Sequence, residues 1–167
     1  MIVYIILAAF AGLFAWAESG LRNKRDMRMF YAVLLIYLLV VGFRYMHGDY
    51  GTYEMGYEEN IDVGGDAGYF WLQKVFHKMG FSFQAFVFLL TLVSVIAFKQ
   101  TFRLGPWPLF GMVMILGKIF TLYAMSGIRQ YMAMAICWWA LSELLLKQRT
   151  VTFIVMVVFA YTLHGSA

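Results

Sequence analysis

The sequence predicts an all-α protein: a polytopic transmembrane helical bundle of about six spans plus one interfacial amphipathic helix. Three observations predict it. Apolar residues make up 63% of the 167-residue chain and charged residues 13%, against roughly half and a quarter in soluble domains. The apolar residues gather in runs close to the ~20 residues that cross a bilayer. The cations sit in short clusters between those runs, the pattern that sets membrane topology. The net charge of +4 therefore reads as orientation, and it points away from nucleic acid.

The first expected span covers 1–18. Ala15-Trp16-Ala17 resembles a signal-peptide cleavage site. No Lys or Arg precedes the apolar run, however, so the basic leader region is missing and the segment reads as a helix that stays. The other expected spans are 29–45, 81–98, 107–125, 127–146 and 150–164, the last one short. If they alternate, Arg22, Lys24, Arg25, Arg28, Lys99, Arg103, Lys147 and Arg149 share one side, eight of the thirteen Lys and Arg. The positive-inside rule makes that side cytoplasmic. The N-terminus and the 46–80 region are then outside.

The outer region has two parts. Met46–Asp66 is acidic and rich in Gly and Tyr, and reads as loop. Tyr69–Met79 is amphipathic: Gln73, Lys74, His77 and Lys78 fall on one helical face, and Tyr69, Leu72, Phe76 and Met79 on the other. A short helix lying in the membrane interface is expected there, anchored by Tyr69, Phe70 and Trp71. Composition is otherwise uniform, so one transmembrane domain over 1–167 is expected. The single Cys137 excludes an internal disulfide, and it reads as a packing residue, as do most of the methionines.

Ionisable groups near a bilayer are costly, so those that topology does not explain are candidates for function. Arg44 ends the second span, and Gly48 permits a turn that brings Asp49 back beside it. Ser126 is the expected N-cap of the fifth span, which places Arg129 and Gln130 in its first turn. The helix dipole is positive there, so a cation gains nothing from it. A bound anion would explain it, held by free N–H groups and the guanidinium. Lys118 lies in the fourth span, about 12 Å below Ser126 at helical rise, and either snorkels outward or meets the same anion. His164 ends the sixth span. The topology places Arg44, Asp49, Tyr53, Arg129 and His164 at one membrane face. The pairs Glu18/Arg22 and Glu143/Lys147 read as ordinary i,i+4 ion pairs. The sequence contains no Walker A loop, Rossmann fingerprint, HExxH helix or Asp-x-Asp element, so nothing calls for a nucleotide, a metal or another cofactor.

Taken in order, several segments resemble the EpsG family, the Wzy-like exopolysaccharide polymerases of bacteria. They are Glu18 at the end of the first span, Gly42-Phe43-Arg44-x3-Gly48-Asp49-Tyr50-x2-Tyr53, and Asp66-x-Gly68-Tyr69. Gly127-Ile128-Arg129-Gln130 with Ala133 and Ala135 follows, then His164-x-Ser166-Ala167. The resemblance implies a glycosyltransferase of the cytoplasmic membrane. It would transfer a growing glycan from a polyprenyl diphosphate carrier to the next carrier-linked repeat unit, on the extracytoplasmic side. Its implied partners are that lipid-linked oligosaccharide, membrane lipids and other exopolysaccharide-assembly proteins. Arg129, Arg44 and Lys118 would neutralise the leaving diphosphate, and Asp49 or His164 would serve as general base. Tyr50, Tyr53 and Gln130 would contact substrate. Members of the family are usually longer, so the chain is expected to be the N-terminal portion of such a polymerase.

Two other readings compete. A flippase or transport subunit for lipid-linked sugars would use the same cationic site without chemistry. A rhomboid-like serine protease would use Ser126 and His164. Against the protease, Ala124 replaces the first glycine of that family's Gly-x-Ser-Gly element, and the glycine spacing around His164 is wrong.

Overall fold

The computed structural model describes residues 27–45, 48–103, 105, 108–115 and 123–165, with isolated positions before them. Every element among the described residues is helical. The helices are α1 (Arg28–Gly42), α2 (Tyr50–Glu58), α3 (Ala67–Lys78), α4 (Phe83–Phe102), α5 (Pro108–Ile115), α6 (Ile128–Lys147) and α7 (Thr150–Leu163). The expected first span and most of the second half of the fourth, including Lys118, lie outside the described residues.

Helices α1, α4, α6 and α7 thus lie where four of the spans are expected, within a few residues of the expected ends. Only α4 among the described helices is both long and apolar enough to cross a membrane by itself. α1 and α7 are apolar but shorter; 15 residues of α1 rise about 22 Å, less than the ~30 Å hydrocarbon core. α6 has the length, at 20 residues, but carries Arg129, Gln130, Ser142, Glu143 and Lys147.

α6 and α7 form a tight helical hairpin, and α6 also packs against α4, which packs against α1. The hairpin turns at Gln148, which adopts the left-handed conformation (φ 54°) and ends α6. Buried Glu143 braces the turn, ion-paired to Lys147 and, at 3.5 Å, to Arg149, and accepting from the Trp139 indole at 3.1 Å. The expected Glu143/Lys147 pair is therefore present, with two further partners. The hydroxyl of Ser82 caps α4 by accepting from the Ala85 N–H at 3.3 Å. Gln84 donates to the carbonyl of Gly42 at 2.6 Å and so closes the open end of α1.

Two buried clusters result. One joins α1, α4 and α6 around Phe30, Tyr37, Phe98 and Tyr131. The other lies at the opposite end of α4 and gathers Tyr53, Tyr57, Tyr69, Phe86 and Ile128 under the outer segments.

The 46–66 segment departs from the expected loop. Residues 50–58 form α2, although Gly51 and Gly56 disfavour helix. Tyr50, Tyr53 and Tyr57 recur at helical spacing and are all buried, so packing of one aromatic face overrides propensity. α3 forms where the amphipathic helix was expected, but one side chain on its polar face turns inward. Gln73 is 2% exposed and donates to the carbonyls of Gly56 at 2.6 Å and Ile61 at 3.2 Å. It ties the chain after α2 onto α3, because those carbonyls lack helical partners. Met79, placed on the apolar face, is exposed, as is Trp71.

Candidate functional site

Asp66 stands at the N-cap of α3, yet its side chain does not cap the helix. An Asp there would ordinarily contribute about 0.5–2 kcal/mol by accepting from the first-turn amides. Its carboxylate turns instead to three donors. Oδ2 lies 2.6 Å from Arg129 Nη1 and 3.0 Å from His164 Nδ1. Oδ1 accepts from the Gly165 N–H at 3.1 Å. A local stabilisation is given up for a polar cluster, the kind of exception that marks functional sites.

Three glycines permit this geometry. A Cβ on Gly68 would meet Thr162, whose Cβ is 2.8 Å from that position, so glycine lets the start of α3 approach the end of α7. A Cβ on Gly64 would run into the Arg129 guanidinium. Gly65 has φ +70°, a conformation that favours glycine. The amides of Gly64 and Gly65 both donate to Asp62 Oδ1, at 3.0 and 2.8 Å, folding the chain back so that Asp66 faces inward.

Arg129 is held on its other sides by aromatic rings. Its Nε donates to the Tyr53 hydroxyl at 3.2 Å. Its Cζ lies 5.2 Å from the Tyr53 ring centre and 5.7 Å from that of Tyr69, within cation–π range. The Arg129 and Asp66 side chains are 14% and 13% exposed and His164 is 26% exposed. The cluster is thus shielded but open at His164. Beside an ionised Asp66, the neutral imidazole carries its proton on Nδ1, which leaves Nε2 as an acceptor. Burial pushes the Tyr69 phenol up from its ordinary pKa, so Tyr69 meets Arg129 as a neutral ring.

Arg44 reaches the same end of the bundle. It is 5% exposed, and its Nη1 donates to the Ala124 carbonyl. Gly48 (φ +58°) packs so closely on Ser126 that a Cβ there would lie 2.6 Å from the Ser126 Cβ. The segment after α1 is therefore clamped onto the turn before α6. That turn runs through Ser126, so the N-cap of α6 is Gly127 and not the expected Ser126. Helical residues cannot cap the next helix, and 123–126 are themselves helical.

Of the expected site residues, the structure brings together Arg129, Tyr53 and His164, with Arg44 close behind them. Asp49 is exposed at the N-cap of α2 and makes no capping bond. Tyr50 is buried, donating to Gln84 Oε1 at 3.0 Å and packed on Phe83 at 5.0 Å between ring centres; burial pushes its phenol pKa up. Gln130 is half-buried beside Gly127. Asp66 was not among the expected site residues. It was legible only as part of Asp66-x-Gly68-Tyr69, where an Asp before a helix reads as a cap. No group of His, Cys, Asp and Glu suited to a metal occurs among the described residues.

A family model for the EpsG family matches residues 27–167. The chain belongs to the EpsG family. The match takes in every element that builds the site, from α1 to His164, and begins after the first expected span. Comparison with curated proteins and with solved structures gives no significant match. The EpsG family is associated with polysaccharide polymerase activity, which links this EpsG-family chain to exopolysaccharide synthesis.

Proposed function

We propose that this EpsG-family chain is a polytopic protein of the bacterial cytoplasmic membrane, N-terminus outside, that polymerises polyprenyl-diphosphate-linked repeat units at the extracytoplasmic face. The observation that carries the reading is the Asp66 carboxylate bridging Arg129 and His164. A base oriented by an acid, next to a cation, suits attack by a hydroxyl with departure of an anion.

His164 Nε2 takes the proton of the attacking sugar hydroxyl while that oxygen bonds to the anomeric carbon of the donor. The bond from that carbon to the diphosphate oxygen breaks, and the electron pair leaves with the lipid diphosphate. Arg129 and Arg44 offset the charge that develops there. Tyr53 holds Arg129 in place and offers an aromatic surface to sugar. Lys118 stays a candidate for the same diphosphate. Other exopolysaccharide-assembly proteins are proposed partners.

The membrane setting is supported by the outward faces of the helices. Leu35, Ile36 and Leu39 on α1, and Val151, Val155 and Val158 on α7, are all exposed, an apolar surface that lipid covers at no cost. The basic clusters at the other end of the helices support the orientation.

The test is a reconstituted assay of the full-length protein with a lipid-linked oligosaccharide. Chain growth with release of free polyprenyl diphosphate is expected, and His164→Asn is expected to abolish both. Translocation of the lipid without release of diphosphate would replace the polymerase reading with a transporter.

A further inference from the structure

A groove of about 450 Å³ opens at the surface where α1 ends and α4 begins. Ser82, Ala85 and Leu89 lie along it. They recur at helical spacing, so the groove follows one face of α4 for about 10 Å. Phe43 and Phe88 form a wall, with ring centres 5.1 Å apart. Gly42 permits that wall, because a Cβ there would lie 2.8 Å from the Phe88 ring. Phe81 stands at the upper end, and small Ala85 between the rings leaves the hollow. Phe43 and Phe81 are 61% and 39% exposed.

The two polar side chains on the groove are turned to the protein. Gln84 donates to the Gly42 carbonyl at 2.6 Å and accepts from the Tyr50 hydroxyl at 3.0 Å. The Ser82 oxygen accepts from the Ala85 N–H. What remains is hydrocarbon and aromatic ring, a lining for an apolar chain. α4 is long and apolar enough to cross a membrane, so a groove along its axis runs as lipid chains run.

The upper end of the groove joins the candidate site by two paths. Phe43 directly precedes Arg44, so one short segment puts a ring on the groove and a buried cation toward the site. Gln84 holds Tyr50, and one turn further along α2 Tyr53 holds Arg129. An amphiphile with its anionic head at Arg129 and its tail along α4 satisfies both. Phospholipid chains cover the other outward faces without preference. The link to the site singles out the lipid whose head reacts there.

We propose that the groove seats the isoprenoid chain of the lipid carrier and so aims its diphosphate at Arg129. This rests on the reading of the site as one that acts on a lipid diphosphate. Lipid already surrounds the chain, so the groove contributes packing and alignment rather than removal from water.

The test uses the full-length protein in nanodiscs of phosphatidylcholine and phosphatidylglycerol. The probe is a polyprenyl diphosphate with a diazirine in the units next to the diphosphate. Labelling is expected on the peptides that hold Phe43 and residues 81–89, and unlabelled polyprenyl diphosphate is expected to displace it. Ala85→Trp fills the groove and should lower the labelling about five- to tenfold. Phe43→Ala removes an exposed wall without touching the core and should lower it about two- to fivefold. Thermal melts report folding, and where Ala85→Trp does not fold, Phe43→Ala decides alone. The proposal is overturned if the folded variants label as the native protein does. It is equally overturned if phosphatidylglycerol with a diazirine in its acyl chain labels the same peptides as strongly and polyprenyl diphosphate does not displace it, the behaviour of ordinary surrounding lipid. Displaceable labelling in a protein that transfers no glycan supports the groove and sinks the polymerase reading alone. Transfer at the native KM by both variants, with no label on the groove peptides, sinks the groove alone.

Discussion

In an Asp66→Asn variant the side-chain shape is kept and one negative charge is lost. The native carboxylate accepts from Arg129 at 2.6 Å and His164 at 3.0 Å through Oδ2, and from the Gly165 amide at 3.1 Å through Oδ1. An amide has one oxygen, so in either orientation its NH2 faces a donor. The better orientation keeps oxygen toward Arg129 and His164 and sets NH2 against the Gly165 N–H. The His164 bond then loses its charge assistance, the Arg129 bond keeps only that of the guanidinium, and the third is lost entirely. Bonds to charged groups contribute about 1.5–3 kcal/mol and neutral ones about 0.5–1.5. The total falls at about 2–4 kcal/mol, and partial exposure of all three side chains trims it to about 2–3. For a chain of this size that is a drop of about 4–10 °C in the thermal midpoint. His164 keeps an acceptor but loses the negative charge that stabilises its imidazolium once it has taken the proton, so the transfer rate should fall about 10²–10⁴-fold, the range of general-base catalysis. Asp66→Ala should destabilise more, about 3–5 kcal/mol, because Arg129 is left uncompensated. The checks are a thermal melt and polymer length from the reconstituted protein. An Asp66→Asn protein that melts and polymerises like the native one would refute the reasoning.

Gly64→Ala should lower transfer at least about tenfold and cost about 2–3 kcal/mol in a thermal melt, because the new methyl takes the place of the Arg129 guanidinium and breaks its bond to Asp66. Gly51→Ala serves as its control: with nothing within 4 Å of an added Cβ, it should stabilise α2 by about 0.5–1 kcal/mol and leave transfer intact. Gln73→Leu takes away the donor that bridges the carbonyls of Gly56 and Ile61, of which Gly56 keeps the Ile61 N–H at 2.9 Å, and should cost about 1–3 kcal/mol, read as faster proteolysis between α2 and α3. Tyr53→Phe keeps the ring under Arg129 but removes the bond to its Nε, and should slow transfer about fivefold, or about 1 kcal/mol; an unchanged rate would show that the ring alone positions the guanidinium.

Four helices, α1, α4, α6 and α7, were readable because long apolar runs bounded by cations have few other solutions. α3 was readable from its amphipathic period, but the burial of Gln73 was not, since it depends on two carbonyls from another segment. α2 is not legible in the sequence, because its only signal, Tyr50, Tyr53 and Tyr57 at helical spacing, lies among glycines and acids that read as loop. Arg129 and His164 stood out as polar groups that topology did not require. Sequence proximity points to Asp49, which lies near Arg44, whereas Asp66 is 63 residues from Arg129 and 98 from His164 and only the fold brings them together.

The sequence by itself determined the helical class, most helix positions, and which cations lie apart from the topological clusters. These follow from local composition and period, which a chain carries wherever it folds. Tertiary structure decided which charges balance. Asp66 gives up capping α3 and compensates Arg129, and Arg44 is buried among tyrosines with no acid beside it among the described residues. Those outcomes depend on contacts between residues far apart in the chain, made possible where Gly64, Gly65 and Gly68 let three segments approach, and no local pattern encodes them.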